Sequence, residues 1–338
     1  MGSYEIKKGL NIRLTGAPET TMVECASPKI VHVYPQEFRG IRPRLKIKEG
    51  DSVKRGSPLF YDKRNPSLQF CSPAGGVVQS IVLGRRRALE QIIISVDAHE
   101  QSETLKKYSS AQLATLPRNE VIGHLLATGL WTLIKQRPFS RMANPEAAPK
   151  SIFVNAMNTA PFQPDVNVLL QGEEAAFQAG LDVLSRLTNG AVHLCIDGNK
   201  NNAPALAQAK NVQTHTFKGP HPSGNTSVHI YHIDRLKPTD VVWTVRAGDA
   251  IALGKLFLEG AYPVTKIVSL GGPGVKAGAR KHYRTRVGAP LSAIFGDHME
   301  AGEQRIISGD ILSGKKMAPD GSLRFYDAGF TVLPENRE

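Results

Sequence analysis

Long apolar runs are scarce in this chain. The best of them, Ala250–Leu258, is interrupted by Lys255, so nothing approaches the roughly 20 apolar residues a membrane-spanning helix needs. The opening segment Met1–Ile12 lacks the apolar stretch of a secretory leader, so any membrane role is expected to be peripheral. Cysteine is equally sparse. Cys25, Cys71 and Cys195 stand far apart, which excludes a CxxC metal or iron–sulfur motif and reads as small buried hydrophobes in a reducing compartment. The glycine fingerprints GxGxxG and GxxxxGK[ST] are missing from every expected strand-to-helix turn. Backbone therefore cannot approach a pyrophosphate in the usual way, which argues against an NAD, flavin or ATP site of that type. Acidic residues are outnumbered, 30 Asp and Glu against 42 Lys and Arg, a net charge of +12. The basic clusters Arg42–Lys48, Arg85–Arg87 and Arg280–Arg286 have no helix-turn-helix, zinc-finger or RNP aromatic pattern beside them. Nucleic acid is thus disfavoured, and an anionic membrane face or an acidic protein partner is the better expectation.

What is present begins with Gly40–Asp97. Short alternating runs (Leu45, Ile47; Val77, Val78, Ile81; Ile92, Ile94, Val96) are cut by Gly50-Asp51 and by Pro73-Ala-Gly-Gly76. Period-two hydrophobicity with such punctuation predicts a small barrel or sandwich of short strands. A GD-x-V-x-x-G strand leading through a hairpin to an SP-x-x-G-x-V strand resembles the biotinyl/lipoyl fold. The equivalent hairpin is Tyr61–Phe70. Its lysine, Lys63, lacks the Met-Lys-Met setting and has Pro66 nearby, so it is expected to be an unmodified, solvated side chain.

At 338 residues and 41% apolar the chain supports two or three domains. The expected division is 1–100, an N-terminal arm plus barrel; 101–262, a Rossmann-like α/β domain; and 263–338, a β-grasp module and tail. Glu5–Thr20 reads as a strand or extended arm that could add to the barrel. Ala98–Lys107 reads as a linker. A helix is expected from an Asn119 cap to Gly129, after which Pro138 leaves Arg137, Phe139 and Arg141 in a loop. Strands at Ser151–Met157, Ala191–Ile196 and Val212–Phe217 alternate with helices ending near Asn189-Gly190 and spanning Pro204–Lys210, the rhythm of parallel βαβ units. Ser227–Ile233 reads as a further strand and Asp249–Leu258 as a helix closed by Gly260. Lys266–Leu270, Arg305–Ile307 and Leu323–Tyr326 read as strands.

Catalytic constellations are not found. His229 and His232, three apart in an expected strand, would face opposite sides and not converge on a metal. His221, between two prolines, sits in a rigid loop. No Ser-His-Asp, Cys-His or paired-carboxylate set can be assembled from spacing.

Several segments taken together resemble the NqrA family. They are KKGLNIRLTGAPE near the start, GLWTLIKQRPFSRM at Gly129–Met142, SIFVNAMNTAPFQPD at Ser151–Asp165, FQAGLDVLSRLTNG, GPHPSGN, AGDAIALGKLFLEG and RIISGDILSGKK. The resemblance spans nearly the whole chain in order. It implies a peripheral subunit on the cytoplasmic face of a bacterial inner membrane, within a six-subunit complex that passes electrons from NADH to ubiquinone and exports Na+. The implied partners are subunits B to F, with ubiquinone as a possible ligand and no tightly bound cofactor: no FMN, no Fe–S cluster. Family members continue beyond Glu338, so a truncated or cleaved chain is expected. The family is related to RnfC and to the flavin-binding subunit of complex I. Their flavin-holding loops correspond here to Trp131–Met142, which has no glycine cluster, and Asn155–Pro161, with Ala160 where an acid would stand. Val268–Val275 followed by Val287–Leu291 resembles the SLBB β-grasp module of those relatives. Because those loops lie there, the quinone-contact candidates are Arg137, Phe139, Asn155, Met157 and His221. The competing readings are a pure interaction protein with no small ligand, and an enzyme domain holding flavin or NADH.

Overall fold

A computed structural model describes residues 2–336. The punctuated strands of the opening region form two small sheets. One is ordered Ile30–Val33, Leu89–Val96, Gly76–Leu83, Ser52–Val53; the other Pro43–Leu45, Pro58–Asp62, Asn65–Cys71. Alternation sends Val31, Val78, Ile92 and Ile94 inward, each fully buried. Gly50 adopts φ 86° at the expected turn, a left-handed conformation that only glycine takes without strain. Lys63 and Arg64 are the two-residue tip of the hairpin. Pro66 lies on the edge strand, where its missing N–H need not break the ladder.

The N-terminal arm bypasses this barrel, contrary to expectation. Gly2–Glu5 lies parallel to Gln213–Lys218 at the edge of a seven-stranded sheet, and Met22–Glu24 runs parallel to His282–Arg286 in the C-terminal sheet. Between these two strands, the Gly272 N–H donates to the Gly16 carbonyl at 2.7 Å. A free sheet edge recruits whatever extended segment reaches it, so alternation alone could not say which edge the arm would take.

The seven-stranded sheet is ordered Gly2–Glu5, Gln213–Lys218, Val192–Asp197, Ile152–Ala156, Val242–Arg246, Lys135–Arg137, Arg141–Met142. Its first five strands are parallel, and the last two form an antiparallel hairpin. Arg137 therefore belongs to a short strand rather than a loop. The segment expected as a strand at Ser227–Ile233 is a helix, Thr226–Ile233. Its β-branched and aromatic residues favour strand locally. It nevertheless connects two strands of the parallel sheet, Gln213–Lys218 and Val242–Arg246, and such a connection needs a crossover element, so the tertiary requirement wins. The helix expected from Asn119 spans Arg118–Thr128, with Pro117 rather than Asn119 at its cap, and Gly129 closes it at φ 74°. The helix at Pro204 ends at Ala207, and Leu323–Tyr326 is irregular.

Helices Glu174–Ser185 and Ala247–Glu259 cross at close range on one face of the sheet. A Cβ on Gly254 would lie 1.8 Å from the Ala176 carbonyl oxygen, and one on Gly180 2.0 Å from that of Ala250. Barrel and α/β domain share one continuous apolar cluster, which includes the edge-to-face pair Trp131–Trp243 at 5.3 Å. The C-terminal module has its own core, built on Val268, Leu270, Phe295 and Phe330. Its sheet is ordered Lys315–Met317, Gln304–Ser308, Gly329–Pro334, Thr265–Gly271, His282–Arg286, Met22–Glu24.

Candidate functional site

Strand order reverses between Ile152–Ala156 and Val242–Arg246, and the crevice beyond their carboxyl ends is where an open α/β sheet ordinarily takes a ligand. Asn155 stands at that point, paired with Arg246 across the strands. Its Nδ2 donates to the Gly224 carbonyl at 2.9 Å and to Thr226 Oγ1 at 3.0 Å, while its Oδ1 accepts the Met157 N–H at 3.0 Å. Thr159 Oγ1 accepts the Gly224 N–H at 3.1 Å, which leaves its hydroxyl proton free to reach His221 Nδ1 at 3.1 Å. The His221 carbonyl accepts from Leu10 N–H at 2.9 Å, so the N-terminal arm braces the same loop. Asn155 and His221 are thus brought together through Thr159 and Gly224.

The other candidates go elsewhere. Met157 is buried among Phe153, Cys195, Phe217 and Ile230, a packing position. Arg137 pairs with Val242, at the opposite end of the strand whose far end holds Arg246. Four residues of strand put it roughly 13 Å along the sheet from Asn155. Phe139, at φ 74° and 88% exposed, projects from the turn beyond Arg137. The five candidates therefore fall into two places, not one site.

On the Arg246 side the crevice is occupied by protein. Arg246 donates to both carboxylate oxygens of Asp249, at 2.7 and 3.1 Å, and to the Tyr326 carbonyl at 3.1 Å. Burial pushes the Asp249 carboxyl up, but the charge and hydrogen bonds of Arg246 outweigh it and hold the group below its ordinary range. The loop after Ile152–Ala156 is likewise engaged by the C-terminal module. Ser269 Oγ donates to the Phe162 carbonyl at 2.5 Å, and the Asp165 N–H donates to His282 Nε2 at 3.0 Å.

Around Tyr326 lies a polar cluster that sequence reasoning missed. Lys135 places Nζ 4.0 Å from the centre of the Tyr326 ring and is pushed down to about 8 by burial. Lys266 is pushed to about 8 by burial and by the Arg246 charge. Glu37 of the barrel is pushed up to about 7 by burial, and its Oε2 has no partner among the described residues. Glu37 also borders a cavity of about 20 Å³, lined by Phe38, Phe70, Tyr262 and Phe325, with room for a single water. Nothing local marks Glu37 or Lys266 in the sequence, because their environment is made by three domains meeting. The Arg246–Asp249 spacing at the start of a helix was the one legible clue.

The described residues contain no group of His, Cys, Asp or Glu arranged to hold a metal ion. Cys71 and Cys195 are buried, and burial raises the thiol of Cys71 to about 12 and that of Cys195 further still, so both are unreactive.

Comparison with known proteins decides the family. Residues 4–97 match the NqrA N-terminal barrel-sandwich hybrid domain, 116–262 the NqrA second alpha/beta domain, and 267–318 the NQRA C-terminal domain of the SLBB type. Over 335 residues the chain is 42% identical to the NqrA component of the Na(+)-translocating NADH-quinone reductase of Pasteurella multocida (strain Pm70), covering 98% of this chain and 74% of that one. The chain belongs to the NqrA family. Relatives of the same name from Histophilus somni (strain 2336) and Klebsiella pneumoniae (strain 342) are 40% and 39% identical, over 98% and 99% of this chain and 74% of each of theirs. Among solved structures, an NAD+-reducing [NiFe]-hydrogenase in the air-oxidized state aligns at 14% identity and a TM-score of 0.44, over 70% of this chain and 52% of that one. NqrA relatives are named as components of an oxidoreductase complex. No helix among the described residues is long and apolar enough to cross a membrane.

Proposed function

We propose that this chain is the NqrA component of a Na+-translocating NADH:ubiquinone reductase, a peripheral scaffold on the cytoplasmic face that associates with subunits B to F and carries no tightly bound redox cofactor. The observation that carries this reading is identity near 40% along 98% of the chain with proteins bearing that name. The crevice supports the cofactor-free part. Its polar groups are spent on one another at Asn155, Thr159 and Arg246, the last of which also holds the Tyr326 carbonyl at the switch point. A quinone needs an apolar slot with a donor to its carbonyl. Of the five candidates, Asn155 and His221 share one rigid loop cluster, and Arg137 and Phe139 share a separate hairpin.

The test is reconstitution. Membranes holding the other five subunits but lacking NqrA should regain Na+-stimulated ubiquinone reduction by NADH when this chain is added; no recovery would sink the assignment. Titration calorimetry with a soluble ubiquinone separates the ligand-binding reading from a pure assembly role, because heat lost on His221→Ala would place the quinone at that loop. A flavin absorbance band in the purified chain would overturn the cofactor-free reading.

A further inference from the structure

The hairpin joining Gly76–Leu83 to Leu89–Val96 carries an exposed basic tip. Along its first strand, buried Gly76 and Val78 alternate with exposed Val77 and Gln79; register shifts at Val78/Ser80 and again at Val82/Leu83 then break the alternation. Such a bulge redirects side chains, and here two successive aliphatics face solvent: Val82 is 36% exposed and Leu83 45%. Immediately beyond them stand Arg85, Arg86 and Arg87, all exposed. Arg86 and Arg87 adopt φ 56° and 57°, a left-handed conformation that costs a residue with a Cβ free energy. Among the described residues none of the three has an ion pair. Exposed Lys48 belongs to a turn held against the same strand, where the Gly50 N–H donates to the Val78 carbonyl at 2.8 Å. Two carboxylates lie close by. Glu49 is engaged by the Ile81 N–H at 2.7 Å, and Glu90 flanks Gly84. The tip keeps a cationic excess next to exposed aliphatic surface.

We propose that this hairpin tip is a docking element for the surface of an anionic phospholipid bilayer. Guanidinium groups match phosphate in bidentate geometry and tolerate partial dehydration. Val82 and Leu83 are placed to enter the headgroup boundary beside them, the pairing of aliphatic and basic side chains that peripheral anchors use. The tip has no aromatic side chain, the feature that marks anchor points for a protein partner. The inference does not rest on the reductase reading, because it concerns the isolated chain.

Co-sedimentation of the full chain with vesicles tests it. Vesicles of equal parts phosphatidylglycerol and phosphatidylcholine should pellet the chain at low salt, and phosphatidylcholine alone should not. The variant Arg85→Gln, Arg86→Asn, Arg87→Asn keeps polar residues, with asparagine at the two left-handed positions. It should weaken partitioning on the order of a hundredfold. Leu83→Ser, which leaves charge untouched, should weaken it severalfold. The control Lys210→Gln, Lys218→Gln, Lys237→Gln removes the same charge from the α/β domain and should change little. Failure of the native chain to bind anionic vesicles overturns the proposal and leaves the tip to an acidic protein or to solvent. Equal losses in the hairpin and control variants overturn it too, because net charge alone would then explain the binding.

Discussion

His229 is fully buried, with Nε2 donating to the Ser223 carbonyl at 2.9 Å and Nδ1 facing no acceptor or donor among the described residues. Burial holds its pKa down at about 4, and His193, 3.1 Å from His215, is held near 4 for the same reason with the neighbouring imidazole adding to it. A histidine kept neutral in the native state but free to charge when unfolded stabilises fully above about pH 6.5. That stability is lost as pH falls toward the folded value, on the order of 3 kcal/mol for one such group. Urea midpoints measured across that range should therefore drop steeply. His229→Gln, which keeps the donor to Ser223, should flatten the slope; an unchanged slope would mean His229 is not the titrating group. Lys63 carries a second residue-scale expectation. Exposed at its hairpin tip, it should show no covalent adduct in the intact mass.

At the scale of elements, the crossing of Glu174–Ser185 over Ala247–Glu259 depends on glycine at both contact points. Gly254→Ala would drive a methyl into the Ala176 carbonyl, and the helices must separate or the backbone must bend. The expected cost is about 1–3 kcal/mol, read as a lower denaturant midpoint with an unchanged slope. An equally stable variant would show the crossing to be looser than drawn. Helix ends were readable from sequence wherever local chemistry decides them: Gly129 and Gly260 end their helices in the left-handed conformation, at φ 74° and 62°. Thr226–Ile233 was not readable, because its local preference for strand is overridden by the connection it has to make. The five quinone-contact candidates show the same limit. Asn155 and His221 meet because two loops from distant sequence converge, while Arg137 is carried to the other end of the sheet by the antiparallel hairpin.

At the scale of the whole molecule, a shared apolar cluster joins the barrel to the α/β domain, and polar clasps tie the C-terminal module to both. Arg286 of the C-terminal sheet donates to both oxygens of Glu100 in the connector after the barrel, at 2.7 and 2.5 Å, with both side chains largely buried. Arg286→Ala removes the bidentate cation from that carboxylate, leaving it the Gly75 N–H, and should cost about 1–3 kcal/mol. Cleavage within Ala98–Lys107 under limited proteolysis should accelerate. Arg286→Lys, which loses the two-pronged geometry, should fall between. Proteolysis unchanged by either substitution would show that the apolar contacts alone hold the connector.

The sequence by itself determined the small punctuated barrel and the parallel α/β core. It also carries no glycine fingerprint at the expected strand-to-helix turns; periodicity, turn glycines and helix caps are legible because they act within a few residues of one another. Only the tertiary structure decided which sheet edges the N-terminal arm would close, that Arg246 at the switch point would be bonded to Asp249 and the Tyr326 carbonyl, and that Glu37, Lys135 and Lys266 would titrate far from their ordinary values. Edge pairing, burial and electrostatic shifts depend on surfaces that meet across hundreds of residues, and no local pattern records them.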